Sequence, residues 1–161
     1  MSRDLLTETI TATKDVGEIQ NQFQIAEFDN RMGLITIEWS VAAQMNQDGV
    51  TELPAGTYYI KTPDVVDNAN DAKWANAAVP DNAIYHEIIV DTHEAKVGSG
   101  TITPKLGSTS LTAISSAGVT DDSAKTGTAK LAAADTISIV VASDTVTAGA
   151  FTIFVRYFLG N

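Results

Sequence analysis

The 161 residues amount to one ordinary domain, and shares of 44% hydrophobic and 19% charged side chains exclude wholesale disorder and a coiled coil. Ten Lys and Arg against twenty Asp and Glu leave a formal charge of −10, which repels phosphate backbones and anionic lipid, so neither nucleic acid nor membrane is an expected partner. Cysteine is absent, which removes disulfides, thiolate metal sites and cysteine nucleophiles together.

The first 30 residues are polar, Gln-rich and acidic, and are expected to form an arm or an added edge strand, with Leu6–Thr13 and Gln22–Phe28 as its weak strand candidates. No apolar run here is long enough for a secretory leader, and no segment approaches the roughly 20 apolar residues of a membrane span, so assembly in a cytoplasm is expected. A single β-sandwich domain is expected over residues 31–161. Its first strand is announced by Ile35, Ile37, Trp39, Val41 and Ala43 alternating with Thr36, Glu38, Ser40 and Ala42, which predicts a half-buried antiparallel strand with Trp39 in the core. Thr57–Thr62 is a shorter candidate. The stretch Asp64–Ala78 reads as a turn or two of helix around Trp74 or as an ordered loop, and almost no other helix is expected.

Pro80-Asp81-Asn82 is a turn signal that opens a second alternating run. It predicts Ile84, His86, Ile88 and Val90 on one face and Tyr85, Glu87, Ile89 and Asp91 on the other. Gly98-Ser99-Gly100 reads as a hairpin turn, followed by strand candidates at Gly100–Leu106, Ser110–Ile114 and Thr126–Ala133. Thr136–Val141 and Phe151–Phe158 are rich in β-branched and aromatic residues and predict a terminal hairpin across Ser143–Gly149. The last strand is apolar on both sides, so it belongs in the middle of a sheet or between a core and a partner, with Tyr157 and Phe158 buried. Eight to ten short strands with little helix predict an all-β protein, an antiparallel β-sandwich of jelly-roll type.

Catalytic signals are sparse. Two histidines seven residues apart on one strand point to opposite faces and do not share a metal. Gly-x-Ser-x-Gly is absent, so a hydrolase triad has no anchor. An EF-hand loop started at Asp67 fails, because Ala72 stands where glycine is required and Ala78 where glutamate is required. Asp64, Asp67 and Asp71, and separately Asp121-Asp122, remain as nonstandard calcium candidates, each weaker than a solvated acidic loop. No catalytic residue, metal ligand or cofactor is therefore assigned. Trp74, Tyr58 and Tyr59 are candidates for stacking on sugars or anchoring a protein contact, with a lid over one end of the sandwich as the plainer role for Trp74. Arg31 and His86 complete the set of candidate contacts.

One resemblance bears on function. Val79-Pro80-Asp81-Asn82-Ala83-Ile84, Gly98-Ser99-Gly100-Thr101-Ile102-Thr103, the run Leu131–Ile139 and the run Thr147–Phe158 together resemble small virion proteins of tailed bacteriophages. The likeness spans roughly residues 57–161 and lies in the style of strand and turn. It implies a non-enzymatic β-sandwich building block in the virion, a capsid decoration or cement protein that forms homo-oligomers, with trimers expected, and contacts the major capsid protein or other virion proteins. The alternatives are a fibre, tail or neck appendage, or a glycan-binding module for the host surface. A small sandwich hydrolase would instead need convergent carboxylates or a partnered histidine in a pocket.

Overall fold

The computed structural model describes residues 7–10, 22–28, 32–63 and 74–160; for 7–10, 22–28, 62, 63, 74 and 75 it describes the backbone alone. In chain order the elements are β1 (Thr7–Ile10), β2 (Gln22–Phe28), β3 (Met32–Ser40), α1 (Val41–Asp48), β4 (Gly56–Tyr59), β5 (Lys61–Pro63) and β6 (Trp74–Asn76). They continue with β7 (Ala78–Val79), β8 (Ala83–Val97), β9 (Thr101–Leu106), β10 (Thr109–Ser110), β11 (Gly118–Asp121), β12 (Asp135–Ala142) and β13 (Ala148–Leu159). The thirteen strands among the described residues exceed the eight to ten expected because several are only two to four residues long.

Alternation builds two sheets around one core. The first has six strands in the order β1-β2-β3-β13-β8-β11, and the second has five, β10-β9-β12-β4 with β7 added to β12, every pairing antiparallel. A two-stranded ribbon, β5-β6, stands apart. Ile35, Ile37 and Trp39 of β3, Ile88 and Val90 of β8, and Phe151, Ile153 and Val155 of β13 meet Ile102 and Leu106 of β9 and Ile137, Ile139 and Val141 of β12 in a single buried cluster. Each such side chain contributes about 1.5–3 kcal/mol of burial. Trp39 and Phe151 lie ring to ring, centroids 5.4 Å apart. As its apolar faces predict, β13 is central, between β3 and β8, but only Tyr157 is buried; Phe158 faces outward and is half-buried.

Several expectations fail for identifiable reasons. The alternation through Ala43 ends at Ser40, because Ser40 Oγ accepts the amide of Ala43 at 3.1 Å and caps α1, whose other end closes on Gly49 at φ 68°. Val41 and Gln44 turn inward, so this short helix seals one end of the core. The two hairpins do not form, because β8 and β9, like β12 and β13, belong to different sheets. Gly98–Gly100 and Ser143–Thr147 are two crossings between layers that run side by side, joined by Gly100 N–H to Thr145 O and Thr147 N–H to Val97 O. A Cβ on Gly100 would stand 2.3 Å from Asp144 O, so glycine is required by the closeness of the two backbones. Finally, Thr126–Ala133 is irregular chain that holds to the start of β8 through isolated bonds, such as Leu131 N–H to Ala83 O at 2.8 Å, and forms no strand.

Ser110–Ile114 likewise forms no strand of its own: only Ser110 lies in β10, and Ile114 makes an isolated bridge to Ile102. The turn at Pro80-Asp81-Asn82 forms, with Asn82 at φ 59°. Gly33 stands opposite Tyr157 in the β3–β13 register, and the tyrosine ring occupies the space a Cβ would need, 2.2 Å from Cζ. Of Asp64–Ala78, positions 74–76 and 78 are in strands, and 64–73 lie outside the described residues.

Candidate functional site on the two outer faces

Because side chains alternate, each sheet has a second face turned away from the core, and the two differ in chemistry. On the six-stranded sheet the outer row positions are fixed by register. Phe154 lies between Thr36 and Ile89, Arg156 between Leu34 and Glu87, and Phe158 between Met32 and Ile84. Met32, Leu34, Ile84, Ile89, Phe154 and Phe158 are all half-buried, and Val119 on the edge strand β11 is 71% exposed. In their midst Arg156 Nη1 and Glu87 Oε2 pair at 3.0 Å.

His86 belongs to this face, and the sequence pattern misplaces it. A register shift between Arg156↔Glu87 and Tyr157↔Tyr85 marks a β-bulge, which inserts one extra residue in β8 and reverses its in–out phase. Ile88 and Val90 therefore point into the core, but so does Tyr85, whereas Ile84 is half-buried and His86 is exposed. The His86 ring packs on Phe158, centroids 5.1 Å apart. His93 reaches the same outer face, its Nε2 2.7 Å from Thr152 Oγ1 and its Nδ1 3.9 Å from Asp91. The two histidines thus share a face instead of opposing one another. Their anchors Thr152 and Phe158 are six residues apart on β13, or about 20 Å at strand rise, too far for a shared metal.

The five-stranded sheet turns a polar face outward. Tyr59 of β4, Ser138 of β12 and Lys105 of β9 form one row across three neighbouring strands, with Thr57 and Val140 in the next. They line a groove of about 460 Å³ together with Asn76 and Thr136. Tyr59 is 46% exposed, and Lys61 Nζ sits 5.6 Å from its ring centroid while also donating to Asn76 Oδ1. Tyr58, next to it, points the other way. It is half-buried, packs against the core, and donates to Pro54 O at 2.6 Å, so of the tyrosine pair only Tyr59 is an open platform.

A third group joins residues that no local pattern connects. Tyr85 Oη donates to Asp135 Oδ2 at 2.9 Å, Lys125 Nζ pairs with the same oxygen, and the ammonium lies 5.5 Å from the Tyr85 ring. Burial, then the adjacent Asp135 charge and hydrogen bond, push the Tyr85 hydroxyl well above the usual tyrosine range, so it stays neutral and keeps the proton it donates to Asp135. The trio ties β8 to β12 across one end of the sandwich. Of the other candidates, Asp122 is buried and accepts from the amides of Thr112 and Ala124, which makes it a loop clamp. Among the described residues no cluster of three His, Asp or Glu is arranged to hold a metal. Arg31, Asp64, Asp67 and Asp71 lie outside the described residues, and Trp74 opens β6 opposite Pro63, its side chain likewise outside the description.

The architecture is that of an all-β sandwich with two chemically distinct outer faces. Comparison with protein families, with curated proteins and with solved structures finds no match for this chain.

Proposed function

We propose that the chain is a non-enzymatic virion building block, a capsid decoration or cement protein on the outside of a bacteriophage head, assembled from copies of itself through the outer face of its six-stranded sheet. The observation that carries this reading is the half-exposed apolar patch of Leu34, Ile89, Phe154 and Phe158 around the Arg156–Glu87 pair. The sheet's six strands, four to fifteen residues long and about 4.8 Å apart, give an outer face of roughly 800 Å² in all, close to the about 800 Å² that each partner of a standard interface buries. The patch holds one cation and one anion side by side, so a second copy covers it without stranding either charge. The bacteriophage location rests on the resemblance of the C-terminal strands and turns.

Light scattering tests the assembly. The wild-type chain is expected at a multiple of its 17.0 kDa, with three copies the expected number, and Phe154→Lys is expected at the monomer mass with its fold retained. A wild-type monomer at working concentration overturns the reading. Sedimentation with empty phage shells tests the location: an oligomer that co-sediments and raises the shell's melting temperature supports decoration, and one indifferent to shells moves the assignment to a fibre, tail or neck appendage.

A further inference from the structure

We propose that the groove on the outer face of the five-stranded sheet binds an acidic oligosaccharide. Its wall is built from groups that suit sugar hydroxyls: the hydroxyls of Thr57 and Thr136, the amide of Asn76, and Ser138 at its floor. Ser138, 6% exposed as a residue, stands between Tyr59 and Lys105 in the row that crosses the groove. Tyr59 stands at the side as the exposed ring on which a sugar's apolar face stacks.

Charge decides the class of sugar. Among the described residues the lining contains no carboxylate, although acids outnumber bases twenty to ten in the chain. Asp135, the nearest acid to lining residue Gly107, is engaged by Lys125 and Tyr85. Lys105 lines the groove, is half-buried, and has neither hydrogen bond nor ion pair among the described residues. Lys61 stands at the rim, held over Tyr59 by Asn76. A cation beside a row of hydroxyls and an aromatic ring is the complement of a saccharide carrying a carboxylate. The chain's overall negative charge opposes polyanions at long range, so the binding is short-range and weakens with salt.

The test is an NMR titration of the full chain with three probes: a galacturonic acid tetramer, a neutral galactose tetramer and inorganic phosphate. Saturable shifts at the amides of Tyr59, Lys105 and Ser138 are expected with the acidic tetramer, at least about tenfold tighter than with the neutral one, and Lys105→Ala and Tyr59→Ala each weaken binding about tenfold or more. Lys105→Met is the second variant if Lys105→Ala loses its fold. Four results overturn the proposal: no shift up to about 10 mM acidic tetramer, equal binding of the neutral tetramer, phosphate alone reproducing the shifts, or well-folded variants that bind as wild type. The groove lies on the sheet opposite the assembly face, so the variants keep the wild-type oligomeric mass and the two readings fail separately.

Discussion

The two sheets of this protein are alike on the inside and different on the outside. Inward, both present β-branched aliphatics at every second position: Ile153 and Val155 from β13 face Ile139 and Val141 from β12, and all four are buried. Outward, the six-stranded sheet carries Phe154, Phe158, Ile84 and Ile89, while the five-stranded sheet carries Thr136, Ser138, Lys105 and Tyr59. Inner faces answer to one shared demand, close packing without voids, and so converge. Outer faces answer to whatever each meets, and here one is suited to another protein surface and the other to a hydroxylated ligand.

The sharpest way to break this comparison is through the core. Ile153→Ala and Ile139→Ala are each expected to cost about 2–5 kcal/mol and to agree within about 1 kcal/mol in urea unfolding, because both sites are fully buried in the one cluster. A large difference would mean that the layers unfold separately. Next comes glycine. Gly33→Ala, where the Tyr157 ring fills the space, is expected to cost about 3 kcal/mol, whereas Gly56→Ala, whose Cβ would meet Tyr58 at an ordinary 3.6 Å, stays within about 0.5 kcal/mol, both read from denaturant midpoints.

The clamp between the sheets gives a smaller effect with a pH signature. Tyr85→Phe is expected to cost about 1.5–3 kcal/mol, the range for a hydrogen bond to a charged group. Its hydroxyl titrates above its ordinary value of 10.0 when folded, so the stabilisation is complete below pH 10.0 and declines as pH rises past it, because the unfolded chain then releases the proton first. The variant therefore has the flatter alkaline limb in thermal melts recorded from pH 8 to 11. Smallest is the helix cap. Ser40→Ala is expected to cost about 1 kcal/mol and to lower amide-exchange protection at Ala43 before any other strand or helix is affected.

Much of the architecture was legible in residue order. Gln22–Phe28 is a strand with the bounds its pattern suggests, the 35–39 alternation places Trp39 in the core, and the turn at Asn82 opens β8. Helix α1 has Ser40 before it and Gly49 after it as ordinary start and stop signals, but the alternation of Val41 and Ala43 runs across them and hides the helix. The site was less legible. Tyr59 stands out as an aromatic, yet Lys105 and Ser138 join it only through pairings between strands some 30 to 80 positions apart in the chain, and nothing local reports that.

What the sequence determined by itself is which side of most strands faces inward, because burial imposes a period of two on any strand with one wet face. It did not determine which strand lies beside which. A strand facing another across the core and a strand bonded beside it need the same buried stripe, so β12 and β13 read as a hairpin although they lie in opposite layers. Nor did it determine the face of His86. One extra residue in β8 reverses the phase of everything beyond it, and where that residue bulges is set by the register against β13, which only the packed sheet fixes.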